Sequence, residues 1–173
     1  MKNLKKFVAL LLAGVMAMVM LTACGGGTSA DTEKEEAIRK QLGKRTEATS
    51  LCDRDGKVEN DSQLYKETAK LLDTRIKAET SAFGILAVDF DVKGIDPVEQ
   101  YVTVTLSADY KTAGLVAGLI TKITEELGKI ESTNNSVKLD TEWAKAAVVV
   151  RTNEKGSYAA IAIQVKNIAY KGK

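Results

Sequence analysis

Histidine is absent from this chain of 173 residues, and its absence excludes several classes of enzyme. Ser-His-Asp and Cys-His catalysis both need an imidazole, and the usual zinc sites need histidines or more cysteines than the two present. The glycine motifs of phosphate-binding and dinucleotide-binding loops are also missing. An enzyme would be left with carboxylate, lysine, tyrosine or Ser-Lys chemistry, and we expect neither a metal nor a cofactor.

A large charge of one sign is lacking as well. The chain has 25 Lys+Arg and 23 Asp+Glu, which gives a formal net charge of +2. Nucleic-acid binding depends on concentrated positive charge, so we predict that this protein has no nucleic-acid partner.

The N-terminus combines positive charge with a short apolar run. Three lysines come first, namely Lys2, Lys5 and Lys6. Residues 7–21 then carry no charge, and their length of about 15 residues fits the apolar region of a signal peptide better than the roughly 20 needed to span a bilayer. The alternative is an uncleaved membrane helix over residues 7–23, which local thinning of the bilayer would accommodate.

The sequence Leu21-Thr22-Ala23-Cys24 directly follows this run. Together these residues resemble the signal and lipobox of bacterial lipoproteins. The resemblance implies cleavage before Cys24, lipidation of its sulfur, and a mature chain anchored to the extracytoplasmic face of the cell membrane. Stable anchoring needs the two or three acyl chains that lipoprotein maturation supplies. The glycines at 25–27 and the absence of an outer-membrane cue indicate a Gram-positive cell.

Removing the signal changes both the charge and the cysteine count. The mature chain has 25 − 3 = 22 basic residues against 23 acidic ones, so it is nearly neutral. With Cys24 lipidated, Cys52 has no partner for an intrachain disulfide and is predicted to be a small packed residue. About 150 residues remain, enough for one domain with its own core.

The mature chain divides into three parts. Residues 24–32 are rich in Gly, Ser and Thr and are predicted to form a flexible tether behind the lipid. Residues 33–60 comprise a charged helix and a loop, and the helix has so few apolar residues that it could extend the tether. Residues 61–173 are predicted to form a single α+β domain.

Hydrophobic periodicity predicts the elements of that domain. Helical spacing occurs over 61–80 and 111–130, and period-two alternation occurs over 85–92, 101–106, 146–151 and 159–165. Short polar connections join the strands in two pairs. We therefore predict an α+β fold with a four-stranded, mainly antiparallel sheet from two hairpins and two core helices packed on one face.

The second face of this sheet is predicted to be polar enough to meet solvent. Tyr101, Thr103, Tyr158 and Gln164 lie on it and could contact a peptide, glycan or protein, although a solvated sheet face needs no ligand. Asp89 and Asp91 on the same face, with Glu99 nearby, are the candidates for a glycosidase-like carboxylate pair.

One short segment suggests calcium. Asp53 and Asp55, followed by Gly56, match the middle of an EF-hand loop, but Leu51 and Ser62 occupy the terminal positions where carboxylates are needed. Asp-Gly is a strong turn signal by itself, so a turn is predicted and Asp53 and Asp55 remain weak metal candidates.

These observations lead to one expectation about function and two alternatives. The expected protein is a membrane-anchored, extracytoplasmic lipoprotein that is not an enzyme and that binds a partner protein, glycan or other ligand at the cell envelope. The alternatives are a small envelope hydrolase that uses carboxylates and an accessory subunit of an envelope complex.

Overall fold

A computed structural model of the chain describes residues 29–79, 86–113 and 116–172. The helices are α1 (Ser29–Leu42), a 3₁₀ helix (Thr46–Leu51), α2 (Ser62–Glu79), α3 (Tyr110–Ala113) and α4 (Val116–Thr133). The strands are β1 (Asp89–Ile95), β2 (Val98–Asp109), β3 (Leu139–Asn153) and β4 (Gly156–Asn167).

The four strands form one antiparallel sheet in the order β1-β2-β4-β3. β1 and β2 make one hairpin, β3 and β4 make the other, and the two hairpins join through β2 and β4. That joint is regular from Tyr101 opposite Lys166 to Asp109 opposite Tyr158. The predicted α+β fold with a four-stranded antiparallel sheet is therefore confirmed.

The first face of the sheet carries the main core. Val104 and Ile163 are fully buried there beneath Ile120 of α4 and two residues of α1, Ile38 and Leu42. The 3₁₀ helix and the following loop add buried apolar side chains to the same cluster. α1 therefore belongs to the folded domain, which corrects the expectation that this charged helix extends the tether.

α2 packs on the opposite face of the sheet. Its Leu64 contacts Ala147 and Ala162, and its Leu72 shares a cluster with Val149 and Ala160. The prediction that both core helices lie on one face is therefore wrong. The alanines of this face let a helix approach the sheet closely, whereas their small size had indicated a solvated surface.

The outer edge of β3 is closed by other parts of the chain. The Val148 N–H donates to Asn60 Oδ1 at 2.9 Å, and Asn60 Nδ2 donates to the Val148 carbonyl at 3.3 Å. The next outward N–H, that of Val150, donates to Glu35 Oε1 at 2.8 Å. These side chains take the positions that a further strand would occupy, so β3 is protected from pairing with another chain.

The N-terminal predictions lie outside the described residues. They concern the signal peptide over 1–23, the lipidation of Cys24 and the first part of the tether. Within the described ranges, no helix combines the length and apolarity needed to cross a membrane.

Candidate binding groove

An open groove of about 990 Å³ runs along α2 where this helix passes the edge of β3. Six of its lining residues carry its chemistry: Tyr65, Lys66, Lys70, Asp73, Lys77 and Arg151. Five come from α2 and one from β3. We refer to this surface as the α2 groove.

The start of α2 is fixed by Asp61. Its Oδ1 accepts hydrogen bonds from the backbone N–H groups of Leu64 at 2.9 Å and Gln63 at 3.1 Å, which is the geometry of an N-cap. These bonds, from Leu64 above all, hold the pKa of Asp61 below its usual value. The Asp61 carboxylate also pairs with Lys145 of β3 at 3.1 Å, so the cap ties the helix to the sheet.

Helical spacing brings the lysines of the α2 groove together. Lys66 and Lys70 are four residues apart, and Lys77 follows after seven more, so all three lie along one stripe of the helix. All three are exposed. The stripe is about 16 Å long at 1.5 Å of rise per residue, long enough to contact several charges of one ligand.

The electrostatic balance of the α2 groove is positive. Lys66, Lys70, Lys77 and Arg151 face a single lining carboxylate, that of Asp73. Asp73 Oδ1 already lies 3.3 Å from Arg151 Nε, in an ion pair that joins α2 to β3. The three lysines form no ion pair among the described residues, so their charges are available to an anionic ligand.

A partly buried carboxyl group lies behind the α2 groove. Glu35 Oε1 accepts the hydroxyl of Tyr65 at 3.0 Å as well as the Val150 N–H. Burial raises the pKa of both Glu35 and Tyr65, because it disfavours their charged forms. Glu35 thus connects α1, α2 and the edge of β3, a structural role that accounts for its position.

The four ligand candidates on the second sheet face separate into two groups. Thr103 and Gln164 are opposite each other on β2 and β4, and Gln164 Nε2 donates to Thr103 Oγ1 at 3.0 Å. Tyr101 lies beside them and is 36% exposed. Tyr158 is fully buried in the cluster beneath α2, so its inclusion in a ligand-binding surface is corrected.

Of the carboxylate candidates, Asp89 is engaged in an ion pair within the fold. Asp89 Oδ2 lies 2.8 Å from Arg75 Nη2, and the same guanidinium donates to Ser107 Oγ. Asp89 therefore holds the C-terminal half of α2 against β1 and β2. Glu99 lies at the opposite end of β2 from the residue that pairs with Asp89. Its backbone carbonyl accepts a hydrogen bond from Asn167 Nδ2 at 3.4 Å.

Asp53 and Asp55 form a tight turn. Asp53 Oδ1 accepts the backbone N–H groups of Asp55 and Lys57, each at 2.9 Å, and Gly56 has a φ of 71°. The bond from Lys57 is the main reason that the pKa of Asp53 is lowered. No group of three or more potential metal ligands occurs within the described residues.

No protein-family model matches this chain, and neither a curated protein nor a solved structure is significantly similar to it. Sequence reasoning missed the α2 groove because Arg151 is distant in sequence from the lysines. The lysine spacing on α2 was visible, and it was the one signal that could have indicated the site.

Proposed function

We propose that the mature chain is a lipid-anchored, extracytoplasmic binding domain that has no enzymatic activity and engages a partner protein or ligand at the cell envelope. Its anchor would be Cys24, exposed by removal of residues 1–23. The order of lysines, apolar run and lipobox supports this localisation. The lipid would attach the domain to the membrane and leave its surfaces free to bind.

The α2 groove is the observation that carries the binding role. It is concave and lined by a tyrosine and four cations against one paired carboxylate. A groove of this kind favours a ligand with several negative charges, such as an acidic protein segment or an anionic glycan. The near-neutral charge of the mature chain makes this local imbalance more informative, since it does not follow from the overall composition.

The positions of the carboxylates support a binding role over hydrolysis. Glu35 is engaged by Tyr65 and Val150, Asp73 by Arg151, and Asp89 by Arg75. Each of these acids joins two elements of the fold. A hydrolase would need two carboxylates facing a shared substrate position, and of the candidate pair Asp89 and Asp91 the first is already paired with Arg75.

Tyr101, Thr103 and Gln164 provide a second, flatter contact surface. The Thr103–Gln164 hydrogen bond leaves the remaining polar groups of both side chains available, and Tyr101 adds exposed aromatic area. We place this surface second because it lacks the concavity of the α2 groove.

The localisation is tested by mass spectrometry of the N-terminus of the chain from its native membrane. We expect a mature protein that begins at a lipid-modified Cys24, and we expect Cys24→Ala to prevent both lipidation and cleavage. An unmodified and uncleaved wild-type chain would contradict the anchor.

The binding role is tested separately with two defined probes, polyglutamate and polyphosphate, added to the full chain in detergent. Calorimetry should show binding to the wild type that is lost when Lys66, Lys70 and Lys77 are changed to Glu. The matched control changes three exposed lysines elsewhere, Lys111, Lys122 and Lys166, to Glu and should retain most of the binding. No binding by the wild type, or equal loss in both triple variants, would refute the α2 groove as the site.

A further inference from the structure

The outer edge of β1 differs from that of β3 because nothing described covers its middle. β1 is the terminal strand of the sheet and pairs only with β2. In its middle, the outward backbone groups are those of Val92, because Asp91 and Lys93 face β2, and they have no hydrogen-bond partner among the described residues. An open strand edge of this kind can accept another strand.

The side chains at this edge are arranged in an ordered pattern of charge. Asp91 and Lys93 are on the second face of the sheet, opposite Thr105 and Thr103 of β2. Val92, between them, is on the first face and packs against the main core. Neither Asp91 nor Lys93 takes part in an ion pair within the described residues.

This pattern is complementary to itself in one antiparallel register. If two copies of β1 pair about a two-fold axis at Val92, Asp91 of each copy is opposite Lys93 of the other, and the two Val92 side chains meet. Opposite charges at directly facing positions stabilise a strand pair, whereas like charges destabilise it. A register centred on Asp91 or on Lys93 would place two like charges face to face.

We propose that this chain self-associates through β1, with Val92 on the two-fold axis and two Asp91–Lys93 ion pairs across it. The two four-stranded sheets then form one continuous antiparallel sheet, with α2 of each copy on the same side. The strand that pairs with the outer edge of β1 is thus β1 of another copy of this chain.

Gly94 limits how far the pairing extends. It has a φ of 85°, and a Cβ at this position would lie 2.1 Å from the Tyr101 carbonyl oxygen. Only glycine fits there, and the β1–β2 register shifts between Lys93 and Ile95. The regular contact is therefore short, so we expect association that depends strongly on protein concentration.

The charge pattern allows a test in which two defects correct each other. The Asp91→Lys variant has lysine at both 91 and 93, and the Lys93→Asp variant has aspartate at both. In either variant like charges would face each other across the dimer, so each alone should associate at least about tenfold more weakly than the wild type. An equal mixture of the two should recover the association, because opposite charges again face each other in the mixed dimer. The double variant D91K/K93D should also recover it.

The readout is analytical ultracentrifugation of the full chain in density-matched detergent, combined with carbodiimide crosslinking of isotopically mixed protein. The proposal predicts an intermolecular Asp91–Lys93 amide in the wild type. All variants share the same N-terminal residues, so association through that region cannot explain a difference between them. A monomeric wild type, undiminished association in both single variants, or no recovery in the mixture would each overturn the proposal. Circular dichroism should show that all variants remain folded.

Discussion

The two outer strands of the sheet differ in whether other parts of the chain bond their outward backbone groups. Along β3, Asn60 and Glu35 bond the outward groups of Val148 and Val150, so pairing there is completed internally. Along the middle of β1, no described residue makes such bonds. The difference teaches that edge protection is local and side-chain based, and that an unprotected edge is a candidate for contact with another molecule.

The largest expected effect tests the closed edge. Asn60→Ala removes the acceptor for the N–H and the donor for the carbonyl of Val148, a fully buried residue. Two buried polar groups would lose their partners, so we expect the free energy of unfolding to fall by about 2–3 kcal/mol. Urea denaturation measures this value. A loss below about 0.5 kcal/mol would show that water replaces Asn60 without cost.

Glu35 tests the same edge through the bond it accepts from β3. Glu35→Ala leaves the Val150 N–H and also the Tyr65 hydroxyl without their acceptor and should cost about 1–2 kcal/mol. Glu35→Gln keeps an acceptor oxygen and should cost less. The comparison of these two variants with the wild type separates the hydrogen bond from the charge.

The charge of Glu35 predicts a pH dependence with a defined sign. Burial raises its folded-state pKa above the ordinary 4.5, so above that pH the folded protein holds this proton more readily than the unfolded chain does. Stability contributed by the protonated form is lost as the pH rises through the raised pKa. Urea denaturation from pH 4 to 8 should show the wild type losing stability relative to Glu35→Gln. A constant difference would contradict the raised pKa.

A smaller effect is expected at the cap that begins α2 beside β3. Asp61→Ala removes the acceptor for the Leu64 and Gln63 N–H groups and should cost about 1 kcal/mol. Asp61→Asn keeps a capping oxygen and serves as the control. Thermal denaturation of both variants measures the difference, and equal melting temperatures would show that the cap contributes little.

The smallest effect is expected at the open edge. Lys93→Ala removes no ion pair among the described residues and should change the free energy of unfolding of the monomer by less than about 0.5 kcal/mol. Urea denaturation at low protein concentration measures this value. If the free energy of unfolding fell as much as in Asn60→Ala, the Lys93 side chain would have to stabilise β1 through contacts other than those described for this edge.

Much of the fold could be predicted because its elements have clear periodicity. The helix predicted over 61–80 is observed as Ser62–Glu79, and the turn predicted between β3 and β4 joins Asn153 to Gly156. The side of the sheet on which α2 packs could not be obtained in this way. Period-two patterns distinguish two faces, but they do not say which helix covers each face.

Two features of the sequence could have corrected that error. Residues 146–150 and 159–163 are almost continuously apolar, as expected for strands buried on both faces. The role of α1 was less visible, because Ile38 and Leu42 are the apolar side chains that this otherwise charged helix buries in the core. The candidate site depends on tertiary contacts between α2 and Arg151, which no local pattern contains.

Amide hydrogen exchange of the full chain at low and high protein concentration tests the contrast between the edges most directly. The account predicts that the Val148 and Val150 amides exchange slowly at both concentrations, because Asn60 and Glu35 bond them. The outward amide of Val92 should exchange quickly in dilute protein and become protected in concentrated protein. Fast exchange at Val148 and Val150, or exchange at Val92 that does not change with concentration, would contradict the account.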